Sequence, residues 1–441
     1  MTREPRTLLP AEEEPTVVEV RVAGFKSIVR EQALEIRPLT ILAGANSSGK
    51  SSVMQPLLLL KQTVEAAFDP GPLLLNGPNI RFTKANQLLS RTHSSKAVDS
   101  FRIGVRLTSG DAFETTFQRQ RKNGFRVLQM EVTQRPEKFV LRPHMTENEI
   151  LETGASLDRD RGKGHWEVQS DRCFLVRAWV PTRRDSPALY AGGFLPFVQH
   201  GIIPGLIHLP GLRGTPERTY PVAAVARNWF PGTFEQYTAS VIHRWTDERN
   251  TEKLRLLNRS LRLLSLTERV STRRLNDTEI EVLVGRLPRR SPDGKSDRVS
   301  IADVGIGVSQ ALPVLTALLA AWPTQLVYLE QPEVHLHPRA QVALARVLAD
   351  AAERGVRVIA ETHSSLLLLG IQSLVARGEL ARDKVGLHWF VRSRKTGATS
   401  IKSAELDEAG RFGNWPEDFD EVSLKAQSEY MDAADRRLFA Q

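Results

Sequence analysis

The sequence predicts an α/β fold in two lobes, with an antiparallel β subdomain and a mostly helical insert between them. Three observations carry that expectation. A glycine-rich turn, Gly44–Ser51, lies between a short apolar run and a leucine-rich segment. From Val299 onward, strand-length apolar runs alternate with helix-length ones, and that order builds a largely parallel, covered sheet. Between these parts, Val98–Val140 alternates apolar and polar residues around the turns Ser109-Gly110-Asp111 and Lys122-Asn123-Gly124, the pattern of a hairpin meander.

In chain order, Met1–Pro15 holds three prolines and the acidic run Glu12–Glu14 and reads as a disordered tail. Val17–Val22 is a β-branched strand, followed by Gly24-Phe25-Lys26-Ser27-Ile28. Leu39–Ala43 is too short for a helix and reads as a buried strand, and Ser51–Ala67 as a helix that Pro56 should kink or weaken. Thr251–Leu266 is an amphipathic helix: Leu254, Leu257, Leu261 and Leu264 share one face, Arg255, Arg259 and Arg262 another. The arginine face is either solvated or a DNA-facing row. Helices then follow at Ala311–Ala321, Arg339–Arg354 and Ser365–Arg377, with strands at Gln325–Leu329 and Val356–Ala360. The expected units are residues 16–145 and 276–441 as lobes, with 146–275 as the insert.

Composition narrows the classes. The chain has 441 residues, room for two or three domains at roughly 150 residues each. With 41% hydrophobic and 25% charged residues it is neither fibrous nor wholly disordered. The longest apolar run, Ala311–Pro323, is about half of a membrane span, so no membrane partner is expected. Cys173 is the single cysteine, which excludes an internal disulfide and a cysteine-based metal site. With no signal-peptide pattern at the start, a cytoplasmic location is expected. The net charge is +9, and residues 251–300 hold 12 basic against 7 acidic side chains, a balance that suits a nucleic-acid partner.

The chemistry concentrates in three motifs. Gly44-Ala45-Asn46-Ser47-Ser48-Gly49-Lys50-Ser51 fits G-x-x-x-x-G-K-[ST] throughout. Its glycines let backbone N–H groups close around a triphosphate, Lys50 reaches the outer phosphates and Ser51 ligates Mg²⁺; Ser52 completes the turn into the helix. Gln325–Glu330 is an apolar strand ending in a carboxylate, where a Mg²⁺ shell needs one. His363, in Glu361-Thr362-His363-Ser364, follows another apolar strand and can bond a γ-phosphate or position water. ATP and Mg²⁺ are therefore the expected cofactors.

Together these residues resemble the ABC-type ATPases of the SMC, RecF and OLD group, so that the expected fold is a two-lobed ABC-type P-loop ATPase. Gly24–Ile28 is similar to that group's opening turn, and Asp303-Val304-Gly305-Ile306-Gly307-Val308-Ser309-Gln310 resembles its divergent signature motif. In an ABC dimer that turn faces the partner's nucleotide, which implies roles in trans for Asp303, Gly305, Gly307, Ser309 and Gln310. Glu330-Gln331-Pro332-Glu333-Val334-His335-Leu336-His337-Pro338 looks like the Walker B and D-loop block, and His363 matches the switch histidine. Gly211–Arg218 and the tail around Asn414-Trp415-Pro416 are similar to a bacterial subfamily of stand-alone ATPases. The Q-loop has no motif, and Gln87 is its candidate metal contact.

The resemblance implies an ATPase switch that forms a homodimer or larger oligomer around ATP, in anti-phage defence or mobile-element control, with an effector such as a nuclease on a separate chain. A RecF-like repair ATPase acting on DNA, or a scaffold that barely hydrolyses ATP, are the alternatives. Where the family pattern has a glutamate after the Walker B acid, this chain has Gln331, so turnover should be slow, with Glu333 or His363 as substitutes for the missing base. The pair His335 and His337 lacks a third ligand at metal spacing and belongs to the D-loop block.

Overall fold

The computed structural model describes residues 15–91, 98–120, 124–154, 164–182, 189–190, 198–225, 229–286, 297–413, 428 and 431. The expected tail before Pro15, Arg289 and Arg290 of the basic 251–300 stretch, and the Asn414–Pro416 segment lie outside the described residues.

A hairpin of β1 (Val17–Ala23) and β2 (Gln32–Glu35) leads into β3 (Leu39–Ala43) and helix α1 (Lys50–Val64). The alternating stretch forms β4 (Ser100–Leu107), β5 (Ala112–Arg119), β6 (Phe125–Gln134) and β7 (Glu137–Leu141). Next come β8 (Gly164–Asp171), β9 (Phe174–Pro181), β10 (Leu189–Tyr190), β11 (Ile207–Leu209) and β12 (Tyr220–Pro221). Helices α2 (Thr238–Asp247) and α3 (Thr251–Leu263) precede β13 (Val270–Arg274), β14 (Glu279–Gly285) and β15 (Arg298–Ser300). The last part is α4 (Ile306–Ala320), β16 (Leu326–Glu330), α5 (Pro338–Glu353), β17 (Arg357–Thr362), α6 (Ser365–Ala376), β18 (Val385–Arg392) and β19 (Thr399–Ala404).

The central sheet has the order β11-β16-β17-β3-β18-β19 and is parallel except for β19. Every residue of β3 is buried. Leu39, Ile41 and Ala43 join Val327, Leu329 and Val358 in one core. Leu42 faces the other way and joins Tyr328, Ile359 and the α1 residues Val53, Met54 and Leu57 in a second core. This two-sided burial explains why the central strands read as unbroken apolar runs. The meander does not extend this sheet. It pairs with the opening hairpin in the order β2-β1-β4-β5-β6-β7, and Phe101 packs against Phe25, Phe117 and Phe125 at centroid distances of 5.2–5.3 Å.

The expectation of a mostly helical insert over 146–275 is not met. β8, β9 and β10 make a small sheet of their own, and β12 and β13 belong with β14. Trp166 and Trp179 face each other across β8 and β9, 5.6 Å apart, which ties that hairpin by an aromatic cross-strand pair. β11 is an edge strand of the central sheet, so the insert contributes a strand to that sheet. Only α3 shows the predicted helical stripe, with Leu257 and Leu261 buried and Arg255, Arg259 and Arg262 exposed.

Helix α1 runs through Pro56. At its far end Lys61 is fully buried, paired with Glu65 and donating to the carbonyl oxygens of Pro204 (3.3 Å) and Phe230 (3.2 Å). The Gly232 N–H donates to Glu65 Oε2 at 3.0 Å, which fixes the helix to two stretches of the insert.

Candidate nucleotide-binding site

The glycine loop joins the C-terminal end of β3 to the start of α1. Its glycines are required by contact as well as by conformation. A Cβ on Gly44 (φ +146°) would lie 2.6 Å from the Phe390 carbonyl oxygen. One on Gly49 (φ +101°) would lie 2.6 Å from both Ser27 Oγ and Thr399 Oγ1. Those two hydroxyls bond each other at 2.8 Å, and Thr399 Oγ1 donates to the Ser48 carbonyl at 2.6 Å. The Gly24–Ile28 turn and β19 thereby back the loop. Gly49 caps α1 without a side-chain acceptor, so the first-turn N–H groups and the positive end of the helix dipole face the loop.

A cavity of about 830 Å³ opens here, walled by the loop, Lys26, Gln87, Gln331, Glu361 and His363. Asn46, Ser47, Ser48, Gly49, Lys50, Ser51 and Ser52 all line it. Lys50 Nζ donates to the Gly44 and Ala45 carbonyls at 2.9 and 3.0 Å, and burial holds its pKa down against the pull of Glu361 and Glu333.

Strand register sets the acids. Thr362 pairs with Ala43, and Glu330 with Glu361. Ser51 Oγ donates to Glu361 Oε2 at 2.9 Å, and the Tyr328 hydroxyl donates to Oε1. Burial, reinforced by Glu330, pushes the Glu361 carboxyl up to about 7. Glu330 instead leans toward β11: His208 Nε2 meets Oε1 at 3.1 Å and the Gly211 N–H donates to Oε2 at 3.3 Å. The Asn79 amide meets His208 Nδ1 at 3.1 Å, a network that assigns the imidazole proton to Nε2. The His208 ring stacks on Tyr328 at 5.4 Å.

The other expected residues divide between the cavity and the framework. Gln331 is on the wall in a left-handed conformation (φ 44°), its N–H bonded to the Glu361 carbonyl at 2.9 Å. His363 is half-buried on the wall, and burial and Lys50 lower its pKa, keeping a neutral imidazole at neutral pH. Glu333 is buried off the wall. Its Oε1 accepts from Thr362 Oγ1 (2.7 Å) and the His363 N–H (3.0 Å), and Oε2 has no partner among the described residues. Gln87 lines the wall, but its amide oxygen is held by the N–H groups of Thr83 (2.9 Å) and Lys84 (3.1 Å).

The signature residues stand apart from this cavity. Asp303 and Gly305 are exposed, Gly307 and Ser309 half-buried. Arg218 holds Asp303 with two bonds of 3.1 and 2.8 Å. Gln310 departs from the expected outward role. It is 4% exposed, and Nε2 donates to the Arg213 and Gly214 carbonyls at 2.8 and 2.9 Å, because the helical phase of α4 puts it on the face that carries Ala311 and Val314. His337 Nδ1 caps α5 by accepting the Arg339 N–H at 3.3 Å, and no cluster of three or more metal-binding side chains occurs among the described residues.

Sequence reasoning missed Glu361, Tyr328, His208 and Arg213. Glu361 carried the same signal as Glu330, an acid at the end of a buried strand. Arg213 is 4% exposed and donates to the carbonyls of Gln310 (3.2 Å), Glu330 (2.8 Å) and Gln331 (3.0 Å), joining a strand tip to the signature helix. The hydroxyl of Ser51 and the carboxylate of Glu361 are hard oxygen donors suited to Mg²⁺.

Residues 227–369 match the family described as "AAA domain, putative AbiEii toxin, Type IV TA system", a span that holds the signature, Glu330 and His363 but not the glycine loop. Among solved structures, the chain is similar to an SmcHead bound to the C-winged helix domain of ScpA, at 13% identity over 89% of this chain and 99% of that one, with a TM-score of 0.47. The SMC head domain from Thermotoga maritima gives 12% identity, 89% and 100% coverage and a TM-score of 0.40. The Smc head domain with an extended coiled coil, bound to the C-terminal domain of ScpA derived from Pyrococcus furiosus, gives 11%, 95% and 100%, and 0.45. A comparison with curated proteins finds no match.

Gly49→Ala combines a strained φ with a clash against Ser27 and Thr399. It should reduce nucleotide affinity by about tenfold or more, since backbone strain of this kind costs about 1–3 kcal/mol. Calorimetric titration with ATP checks this, and wild-type affinity in the variant would show that the loop tolerates the shift.

Proposed function

We propose that the chain binds Mg·ATP in this cavity and hydrolyses it slowly, as a nucleotide-gated switch of the ABC type. The observation that carries the reading is the convergence of the glycine loop, Lys50, the Ser51–Glu361 pair, Gln331 and His363 on one cavity. The loop N–H groups and Lys50 hold the phosphates, and Mg²⁺, when bound, offsets the charge that develops on them. Gln331 orients the attacking water through its amide but cannot take its proton. His363, neutral and beside the Gly44 carbonyl, is placed to bond the outermost phosphate. Loss of a general base costs about 10²–10⁴ in rate, which makes a long-lived bound state the natural output.

The exposed start of α4, with Gly305 bare and Ile306 45% exposed, supports assembly of two chains across the nucleotide. In that arrangement Asp303, Gly305, Gly307 and Ser309 meet the second chain, while Gln310 stays within its own. The toxin–antitoxin wording of the matched family supports a role in phage defence or mobile-element control, with an effector on a separate chain. No helix among the described residues is long and apolar enough to cross a membrane. A second reading, action on DNA, is favoured by the exposed Arg255, Arg259 and Arg262 row.

Lys50→Ala should abolish ATP binding in calorimetry, and Gln331→Glu should raise steady-state turnover by about tenfold or more by restoring a base. Wild-type turnover of about ten per second or higher, ordinary for enzymes, would contradict the slow switch. Light scattering should report a larger mass with ATP than without it, and a strict monomer that still hydrolyses ATP would remove the trans arrangement. Charge reversal of the three arginines should weaken DNA binding and lower its salt slope by about one unit per lost phosphate contact; an unchanged slope leaves the face merely solvated.

A further inference from the structure

A second cavity, of about 340 Å³, lies between the segment that begins at Arg213, the start of α2 and one face of α4. It shares no lining residue with the nucleotide cavity. Val282, Ile301, Leu312 and Pro313, all buried, give it an apolar wall. Three polar atoms of its lining residues are buried and have no hydrogen-bond partner among the described residues: Arg213 Nε, Glu235 Oε2 and Thr238 Oγ1. Arg213 is 4% exposed and Thr238 6%. Buried polar groups almost always find partners, so three orphans on one cavity mark a place where something else supplies them. Water alone is a poor filling. The volume takes about ten waters at about 30 Å³ each, and because a buried water needs roughly two to four polar partners, three such atoms anchor only one or two.

We propose that this cavity binds a small neutral organic molecule with an apolar body and an amide or lactam edge, and that its occupancy is felt at the nucleotide site. The Arg213 Nε–H only donates and Glu235 Oε2 accepts, so the pair matches a carbonyl oxygen beside an N–H, and the Thr238 hydroxyl can support either bond. Glu235 is close enough for its charge to act on the guanidinium. The opposed charges favour a neutral ligand: an anion would meet Glu235 and Glu217, and a cation would meet Arg213. Ligand sites run from about 300 to 1,000 Å³ with mostly apolar walls and a few placed polar groups, so this one suits a molecule of one or two rings. The other two terminal nitrogens of Arg213 already hold the Gln310, Glu330 and Gln331 carbonyls. A ligand on Nε therefore fixes the guanidinium whose remaining bonds seat the backbone of Gln331. The coupling, though not the binding, rests on the nucleotide reading above.

The test uses the full chain and isocarbostyril, a fused bicyclic lactam, followed by ligand-observed NMR and calorimetry. The wild-type chain should bind it saturably at about 1 mM or tighter, ordinary for so small a ligand. The N-methyl derivative, which keeps the carbonyl and loses the N–H, should bind about tenfold more weakly. Glu235→Ala should also cost about tenfold, and Thr238→Val, which exchanges the hydroxyl for a methyl, somewhat less. Ala239→Leu adds bulk to the wall and should abolish lactam binding; Thr238→Val serves if that variant does not fold. Both should keep wild-type ATP affinity when no lactam is present. Bound lactam should shift ATP affinity by about fivefold, and ATP should shift lactam affinity by the same factor. No saturable binding up to about 10 mM, equal affinity for the N-methyl derivative, or unchanged affinity in both Glu235→Ala and Thr238→Val would overturn the site and leave a hydrated hollow. An ATP affinity indifferent to the lactam would overturn the coupling alone. A chain that binds the lactam but no ATP would overturn the nucleotide reading and leave this site standing.

Discussion

The register of β16, β17 and β3 is the constraint on which the site depends. Three parallel strands, buried on both faces, must end level for the loop after Ala43 to meet Glu361 and His363. A slip of one residue in β17 would turn Ile359 and Ala360 to the wrong cores and carry Glu361 away from Ser51. Packing on each side therefore enforces the alignment that the chemistry requires. The polar contacts at the strand tips add little to that choice and are its beneficiaries.

What was legible in the sequence was local. Gly44–Ser51 is contiguous, its glycines answer to contacts no side chain could tolerate, and its flanks are a short apolar run and a leucine-rich helix. The meander announced itself by alternation, and α3 by its leucine stripe. The misread parts depend on distant partners. Ser51 meets Glu361 across 310 residues and Arg213 meets Gln310 across 97, separations that leave no periodic trace. β11 is three residues long, too short to register as a strand, yet it completes the central sheet. Gln310 belonged to a motif whose resemblance pointed outward, while helical phase turned it inward.

Arg213 deserves its burial by what it joins. Its guanidinium ends on three neutral carbonyls, at Gln310, Glu330 and Gln331, and burial lowers its pKa to about 10. Gln310 returns the contact through the Arg213 and Gly214 carbonyls. The start of α4 and the backbone of Gln331, held at φ 44°, are thus parts of one hydrogen-bonded unit. A displacement at the exposed start of α4 therefore reaches the backbone of Gln331 through Arg213 and two hydrogen bonds.

The Lys61–Glu65 pair lies at the opposite end of α1 from the glycine loop and meets no cavity residue. Removing one partner of a buried pair leaves the other uncompensated, at a cost of about 3–5 kcal/mol. Because the same pair fastens α1 to the carbonyls of Pro204 and Phe230, that cost falls on the helix that begins with Lys50. A random-mutation screen scored on lost ATP binding would thus return Lys61 beside Lys50, two lysines of one helix with the same phenotype and unrelated causes. Only a folding measurement made beside the binding assay tells the anchor from the ligand.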